Sequence, residues 1–462
     1  MTAPVFLPRD VENLAGAVSG PVLAPDTPGY RDECSCYNLA IEHRPAVVVG
    51  AAGAADVQAA VRFAAEHDAP LGAHLTGHGP AVLIDSLLVN TRRLDELSVD
   101  PATKTARIGA GLRWGQVLAE TMKSGLAALH GSSPSVGAIG YTAGGGMPLL
   151  AREYGYAADH VRAVELVTAD GRLRRLTEDD DPDLFWGVRG GKGNFGIITA
   201  MEIGLVPVSR LYGGGLFFPG ERAAEVLPAW REWSLTVPEN MSTSLAFLRL
   251  PPLPEIPEPL RQGLVMHVRI AFTGSAADGE QLVAPLRGLG PRVLDTVAEM
   301  PYAAVPSIHM DPPEPIPNYT GCGLFDRLSD EALDELVAVA GPDSTCQVLL
   351  VEVRRFGGAA GRPPAVPNAV GNREAAFSLF VAAALPPGIE AAMKDSCDTV
   401  VSALAPELNG KTMLNLLTDH DGTVEQVATA FEPATYARLA ALKKTYDPAN
   451  LFRLCHNIPP AE

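Results

Sequence analysis

Positive charge is what this chain is short of. Lysine and arginine together number 36 against 54 aspartates and glutamates, a net charge of −18. Gripping nucleic acid or an anionic membrane takes a basic face that neutralises phosphates, so neither is expected as a partner. Long apolar runs are missing as well: none reaches the roughly 20 residues that span a bilayer. The opening stretch, MTAPVFLPRDVENLAG, has neither the basic nor the apolar segment of a secretory signal. Cysteine is sparse. Cys34, Cys36, Cys322, Cys346, Cys397 and Cys455 show no repeated CxxC and no zinc spacing. They read as free thiols of a cytoplasmic protein. Apart from His74 and His78 no pair of ligand-type residues is well spaced, so no metal is expected.

Glycine is plentiful where it counts. Leu71–Gly79 reads LGAHLTGHG, and Gly131–Gly146 packs six glycines into sixteen residues. Without Cβ, such backbone can press against a flat or anionic ligand. Residues 46–51 suit a buried strand, 56–67 an amphipathic helix with Val57, Ala60, Val61 and Ala64 on one face, and Leu71–Leu75 a second strand. His78 then lies just past the end of that strand, where ligands gather in βαβ units. Further strands are expected at 86–90 and 105–110, and a hairpin at 161–168 and 173–176 around Asp170-Gly171. Gly191-x-Gly193-x-x-Gly196 matches the dinucleotide pattern, but it follows a helix (181–188) and opens a strand (197–205). That order is the reverse of one aiming a helix N-terminus at a pyrophosphate, so a tight amide-lined loop is the better reading. With 462 residues the chain exceeds one ordinary core, and two domains are expected. From about residue 207 the texture shifts to strands at 216–218, 244–248, 264–272 and 348–353 and helices at 223–235, 276–289 and 330–340. Proline-rich loops fall at 251–259, 312–317 and 363–367, and Tyr446–Ile458 is too rich in turn formers for a regular element.

Taken in order, these motifs resemble the berberine-bridge-type FAD-linked oxidoreductases with a PCMH-type, vanillyl-alcohol-oxidase-like FAD domain. The matching stretches are His74–Gly79, Gly131–Gly146, Tyr154–His160, Asp183–Ile197 and Tyr446–Ile458, and the likeness runs from about residue 28 to the end. The resemblance implies an α+β fold: a PCMH-type two-subdomain FAD-binding domain at 1–206, then an α/β substrate domain with a large antiparallel sheet at 207–410. A tail at 411–462 returns to the FAD domain. It implies FAD bonded at its 8α carbon to His78, with Gly77, Gly79 and Thr76 around it. His74 is the less favoured alternative, and His130 could reach the same ligand. From the second loop it implies Ser132, Ser133, Val136, Gly137, Gly140, Tyr141, Gly144 and Gly145. From later motifs it implies Asp159, then Gly193, Asn194, Gly196 and Ile197, and finally Asn457.

The departures from the family pattern carry as much. Ser133 stands where a second, cysteinyl anchor would be, and a hydroxyl is no thiolate, so a single covalent link through His78 is expected. His74 replaces an arginine, and Leu75 and Thr76 replace glycines, so the pyrophosphate is expected to lean on Ser132–Gly137. Cys455 replaces an asparagine. In Met413–Leu417 the family's tyrosine base is Leu416, while Asn415 is retained. Singly anchored members lacking that tyrosine include the enterocin-type favorskiiase flavoprotein, which Arg249–Pro257 and the acidic strand before Gly357-Gly358 also resemble loosely.

Another base is therefore needed, and Glu352 is preferred. Strand alternation sets it with Leu350 and Arg354, opposite Val351 and Val353. Burial over a flavin would raise its pKa toward neutrality. The plainer alternative is a surface pair with Arg354 or Arg355, and Tyr319 is the second candidate base. By the same resemblance, Val136 leaves room for molecular oxygen as acceptor. The expected function is FAD-dependent oxidation or oxygenation of a small organic molecule in bacterial secondary metabolism. The alternatives are an alcohol or hemiacetal oxidase with a non-tyrosine base, and a flavin-containing non-redox cyclase. Substrate identity and oligomeric state stay open.

Overall fold

Three sheets organise the chain, whose computed structural model describes residues 6–462 except Pro80, Glu255, Gln262, Asp419 and Asp421. The first five residues of the opening stretch and Glu255 within Arg249–Pro257 thus lie outside the described residues. The first sheet runs Val22–Leu23, Val47–Gly50, Leu87–Asn90, Leu71–His74, its last three strands parallel. The expected strand–helix–strand unit is present, with helix Ala54–Glu66 as its crossover. Its two strands are not neighbours, however: Leu87–Asn90, buried along its whole length, lies between them. A five-stranded antiparallel sheet follows, in the order Leu97–Asp100, Thr105–Gly109, Ile197–Gly204, Val161–Val167, Leu173–Leu176. The hairpin at Asp170-Gly171 forms, Gly171 taking φ 70°.

The third sheet has eight strands and is antiparallel throughout its described pairs. Its central strands run Arg210–Pro219, Leu264–Phe272, Met241–Arg249, Leu350–Arg355, Phe377–Ala384 and Asn318–Phe325. The last two were not anticipated. Alternation gives this sheet two different faces. Leu245, Phe247, Val268, Ile270, Val351, Val353, Leu379 and Val381 bury together with Trp230, Leu333 and Cys397 from helices Ala223–Thr236, Asp330–Ala340 and Glu390–Leu404. Trp230 is wholly buried and donates Nε1–H to Thr243 Oγ1 at 3.0 Å. Truncating it to alanine should cost about 3–5 kcal/mol. The other face turns toward the first two sheets and frames the site.

The end of the chain returns to that frame. Helix Pro433–Tyr446 carries the fully buried Lys443, whose ammonium donates to Asn194 O and to Asp447 Oδ2, each at 2.6 Å. Asp447 in turn accepts from the backbone N–H groups of Leu451 and Phe452. A fully buried ion pair persists only when its remaining hydrogen-bonding capacity is used in this way. None of the six cysteines is in a disulfide. Among the described residues no helix is long and apolar enough to cross a membrane.

Candidate active site

A cavity of about 610 Å³ lies between the polar face of the large sheet and the glycine-rich loops, within the range of small-molecule and cofactor sites. His78 sits on its wall. The turn that carries it starts at Gly77, at φ 66°, where a Cβ would strike Cys36 at 2.7 Å. Its imidazole stacks on Tyr37 with ring centres 3.9 Å apart, and its Nδ1 lies 3.0 Å from Thr76 Oγ1. Its Nε2 lies 3.0 Å from Ser135 Oγ, which is 2.7 Å from Ser133 Oγ. Burial, reinforced by the charge of Arg113 and opposed by Asp311, pushes the His78 pKa down to about 4. The ring is neutral at pH 7 and carries the lone pair that a nucleophile needs.

The space in front of this loop suits a flat cofactor. A Cβ at Gly140 or Gly193 would meet nothing within 4 Å, so both glycines face open cavity. Of the residues the sequence pointed to, Thr76, Gly79, Ser132, Ser133, Val136, Gly137, Tyr141, Gly196, Ile197, Asn415 and Glu352 also line it. Asn415 donates Nδ2–H to Tyr141 O at 2.7 Å, which fixes the turn holding Leu416 at the wall.

Other expected site residues do different work. Asp159 pairs with Arg373 at 2.6 Å and accepts from Tyr156 N–H, tying together loops outside the cavity. Asn194 accepts from Ile458 N–H and donates to His456 O, clipping the C-terminal segment in place. Gly144 is spaceless for another reason: a Cβ there would sit 2.1 Å from Asn415 Oδ1. Gly145 packs on Val370, and Asn457 is not among the lining residues. His130 is wholly buried between Trp114 and Tyr302 and does not reach the cavity. Tyr319 is on the wrong face of its strand. Thr320 lines the cavity, whereas the Tyr319 hydroxyl donates to Asp398 at 3.0 Å on the helical side.

Glu352 does face the cavity, as alternation predicted, but its chemistry is reversed. Burial would raise its pKa, yet the charges of Arg354 and Arg269, with His309 beside them, hold it well below the usual carboxylate range. Arg269 Nη1 is 2.9 Å from its Oε1 and Arg354 Nη2 is 3.2 Å from its Oε2. The Glu352–Arg354 pair exists, then, but is buried rather than a surface contact. Arg355 points to the opposite side, over the ring of Phe377.

Sequence reasoning missed Arg269, His309 and Lys192. Alternation along Leu264–Phe272 puts His267 and Arg269 on one face, and that signal was available. Lys192 interrupts a run of glycines, at φ 53°, and its buried ammonium lies 3.5 Å from both Leu414 O and His456 Nδ1. Burial, with Cys455 opposing, brings its pKa down to about 8.

One further cluster escaped notice. Ligand-type atoms of Cys36, His43 and His74, all buried, lie within 4.8 Å of one another. Leu83 N–H donates to His43 Nδ1, which leaves the proton of that ring on Nε2. His74 Nε2 lies 2.8 Å from Ser35 O and so donates there. The Cys36 thiol is pushed up to about 12 by burial and by Cys34. As arranged, these groups hold protons rather than present three lone pairs to a cation. The same hydrogen bond ties the His74 ring to the backbone of Ser35.

The family model described as an FAD binding domain matches residues 45–177, and the one described as berberine and berberine like matches 417–459. The chain is 28% identical to (R)-6-hydroxynicotine oxidase of Paenarthrobacter nicotinovorans over 96% of its own length and 97% of that protein's. It is 27% identical to an uncharacterised FAD-linked oxidoreductase of Bacillus subtilis, over 96% and 99%. Among solved structures, 6-hydroxy-D-nicotine oxidase of Arthrobacter nicotinovorans superposes with a TM-score of 0.82 at 26% identity, covering 96% of this chain and 98% of that one. A carbohydrate oxidase of Microdochium nivale reaches a TM-score of 0.86 at 18% identity over 98% and 100%, a likeness of fold.

Proposed function

From the premise that the chain belongs to the berberine-bridge-like FAD-linked oxidoreductases with a PCMH-type FAD domain, we propose that it oxidises a small organic molecule with FAD bonded once, through His78. Molecular oxygen is the proposed acceptor and bacterial secondary metabolism the proposed setting. The observation that carries the reading is the neutral His78 on the wall of a cavity whose loops leave room for a flat ring system.

Bound FAD supplies the two-electron acceptor; the chain supplies placement and proton handling. His78 is the attachment nucleophile, and the hydrogen bond to Ser135 orients its ring. Ser133 offers a hydroxyl where a second anchor would need a thiolate. Asn415 holds the Tyr141 turn against the cavity. The substrate enters between this floor and the large sheet, and Glu352 accepts its proton. Because two guanidiniums keep Glu352 ionised, it is available at neutral pH but weakly basic, so it suits a proton that is itself acidic. Oxygen as acceptor is supported by the name oxidase that some of the relatives carry.

The test is a visible spectrum and intact mass before and after acid precipitation. Flavin absorbance should stay with the polypeptide, and His78→Ala should move it to the supernatant. Free FAD from the unaltered protein, with a polypeptide of bare mass, would falsify the covalent link.

A further inference from the structure

The sheet wall of the cavity carries two guanidiniums that share one directly paired carboxylate. Arg269, Ser244, Arg354 and Ser378 stand in one row across four strands, each paired in register with the next. Among the described residues Glu352 is the one carboxylate ion-paired with this row, at 2.9 Å from Arg269 and 3.2 Å from Arg354. His309, 3.6 Å from the same carboxylate, is kept neutral by burial and by Arg269. Asp311 also lines the cavity and its charge acts on Arg354, though among the described residues it forms no ion pair with either arginine. Two guanidiniums share one carboxylate in direct contact, which leaves part of a guanidinium without a paired oxyanion. A desolvated charge is costly without a partner, and cavities that strand one are shaped for a ligand that supplies it.

The unpaired edge belongs to Arg354. Its side chain keeps 24% exposure while Arg269 keeps 4%. Only its Nη2 is engaged, by Glu352 and by His309 Nε2. Its Nε and Nη1 make no hydrogen bond among the described residues. Ser244 Oγ and His309 Nδ1, buried beside it, also have no partner there. A guanidinium edge with neighbouring donors is the fitting receptor for a two-oxygen or delocalised oxyanion.

We infer that this wall docks an organic oxyanion of the substrate, a carboxylate or an enolate-type oxygen, on Arg354. The inference rests on the oxidoreductase reading for the purpose of the cavity, and it narrows the substrate class to acids.

Calorimetric titration of the holoenzyme tests it with four probes: benzoate against neutral benzamide, and 4-nitrophenolate against 4-nitroanisole. Binding heat is read without turnover, so a protein that proved not to be an oxidase would still give an answer. At least one anion should bind tenfold or more tighter than its neutral partner. Benzoate alone would mark a carboxylate, and 4-nitrophenolate alone an enolate-type oxygen. Arg354→Met, which leaves the Arg269–Glu352 pair balanced, should bring the ratio near one, and Arg354→Lys should keep part of it. Glu352→Gln should tighten anion binding, the opposite of what loss of a mere structural partner would do. Equal affinities in the native enzyme, absence of anion binding, or an unchanged ratio in Arg354→Met would each overturn the inference.

Discussion

Glu352 and Arg269 meet at 2.9 Å from strands that are not neighbours, reaching over Met241–Arg249, and their side chains are 5% and 4% exposed. Removing the carboxylate therefore has two consequences. Glu352→Gln should slow flavin reduction by about a hundredfold or more, the usual scale for losing a general base. It should also destabilise the fold by about 3–5 kcal/mol, because two buried guanidiniums lose their counter-charge. Adding Arg269→Gln should recover most of the stability and none of the rate. Stopped-flow reduction and urea unfolding measure the two separately; native reduction in Glu352→Gln removes it as the base. Tyr319→Phe should leave reduction unchanged, since its hydroxyl is on Asp398.

Val136 lines the cavity and its carbonyl accepts from Trp114 N–H, so the backbone position is set independently of the side chain. Val136→Leu should fold normally and slow reoxidation of the reduced flavin in air, by filling the space that oxygen would use. The comparison is the reoxidation rate of the two proteins after anaerobic photoreduction. Identical rates would show that oxygen, if it reacts, arrives elsewhere.

Acid should weaken the protein well before its carboxylates titrate. Burial is the main cause holding His43 and His456 near a pKa of about 3 and His78 and His130 near about 4. In the unfolded chain each titrates near 6.5. Between about 4 and 6.5 the unfolded state therefore binds more protons, and stability rises with pH. The contribution is complete above about 6.5 and is lost as the pH falls toward about 4 for His78 and His130 and about 3 for His43 and His456, by up to about 2 kcal/mol per ring between pH 7 and pH 5. Once His78 carries flavin it leaves this set. The carboxylate of Glu352, held low, stays ionised throughout that window. Urea unfolding at pH 7, 6 and 5 reads the slope, and a flat profile would contradict it.

The Cys36–His43–His74 cluster gives the expectation of a metal-free protein a sharp check. With the His43 proton on Nε2 and the Cys36 thiol protonated, elemental analysis should find less than stoichiometric zinc, copper or iron. One equivalent of metal lost in Cys36→Ser would show that these rings change tautomer to bind it.

Much of this protein is legible along the chain. Strand Leu264–Phe272 and helix Asp330–Ala340 fall where periodicity puts them, because that signal is local. So is the glycine turn that carries His78, whose shape depends on a few φ angles. Strands Asn318–Phe325 and Phe377–Ala384 were not, since the glycines of the first and the alanines of the second give no apolar alternation to read. Alternation told which face Glu352 takes, but not its proton affinity. That was decided by Arg269 and Arg354, brought to its oxygens by strand register, whose charge outweighs the burial that sequence could foresee. Tyr319, the second candidate, was set aside only by the fold, which turns it toward helix Glu390–Leu404 and Glu352 toward the cavity. Local geometry follows from neighbouring residues; the electrostatics of a buried site depends on every charge the fold brings within a few ångströms.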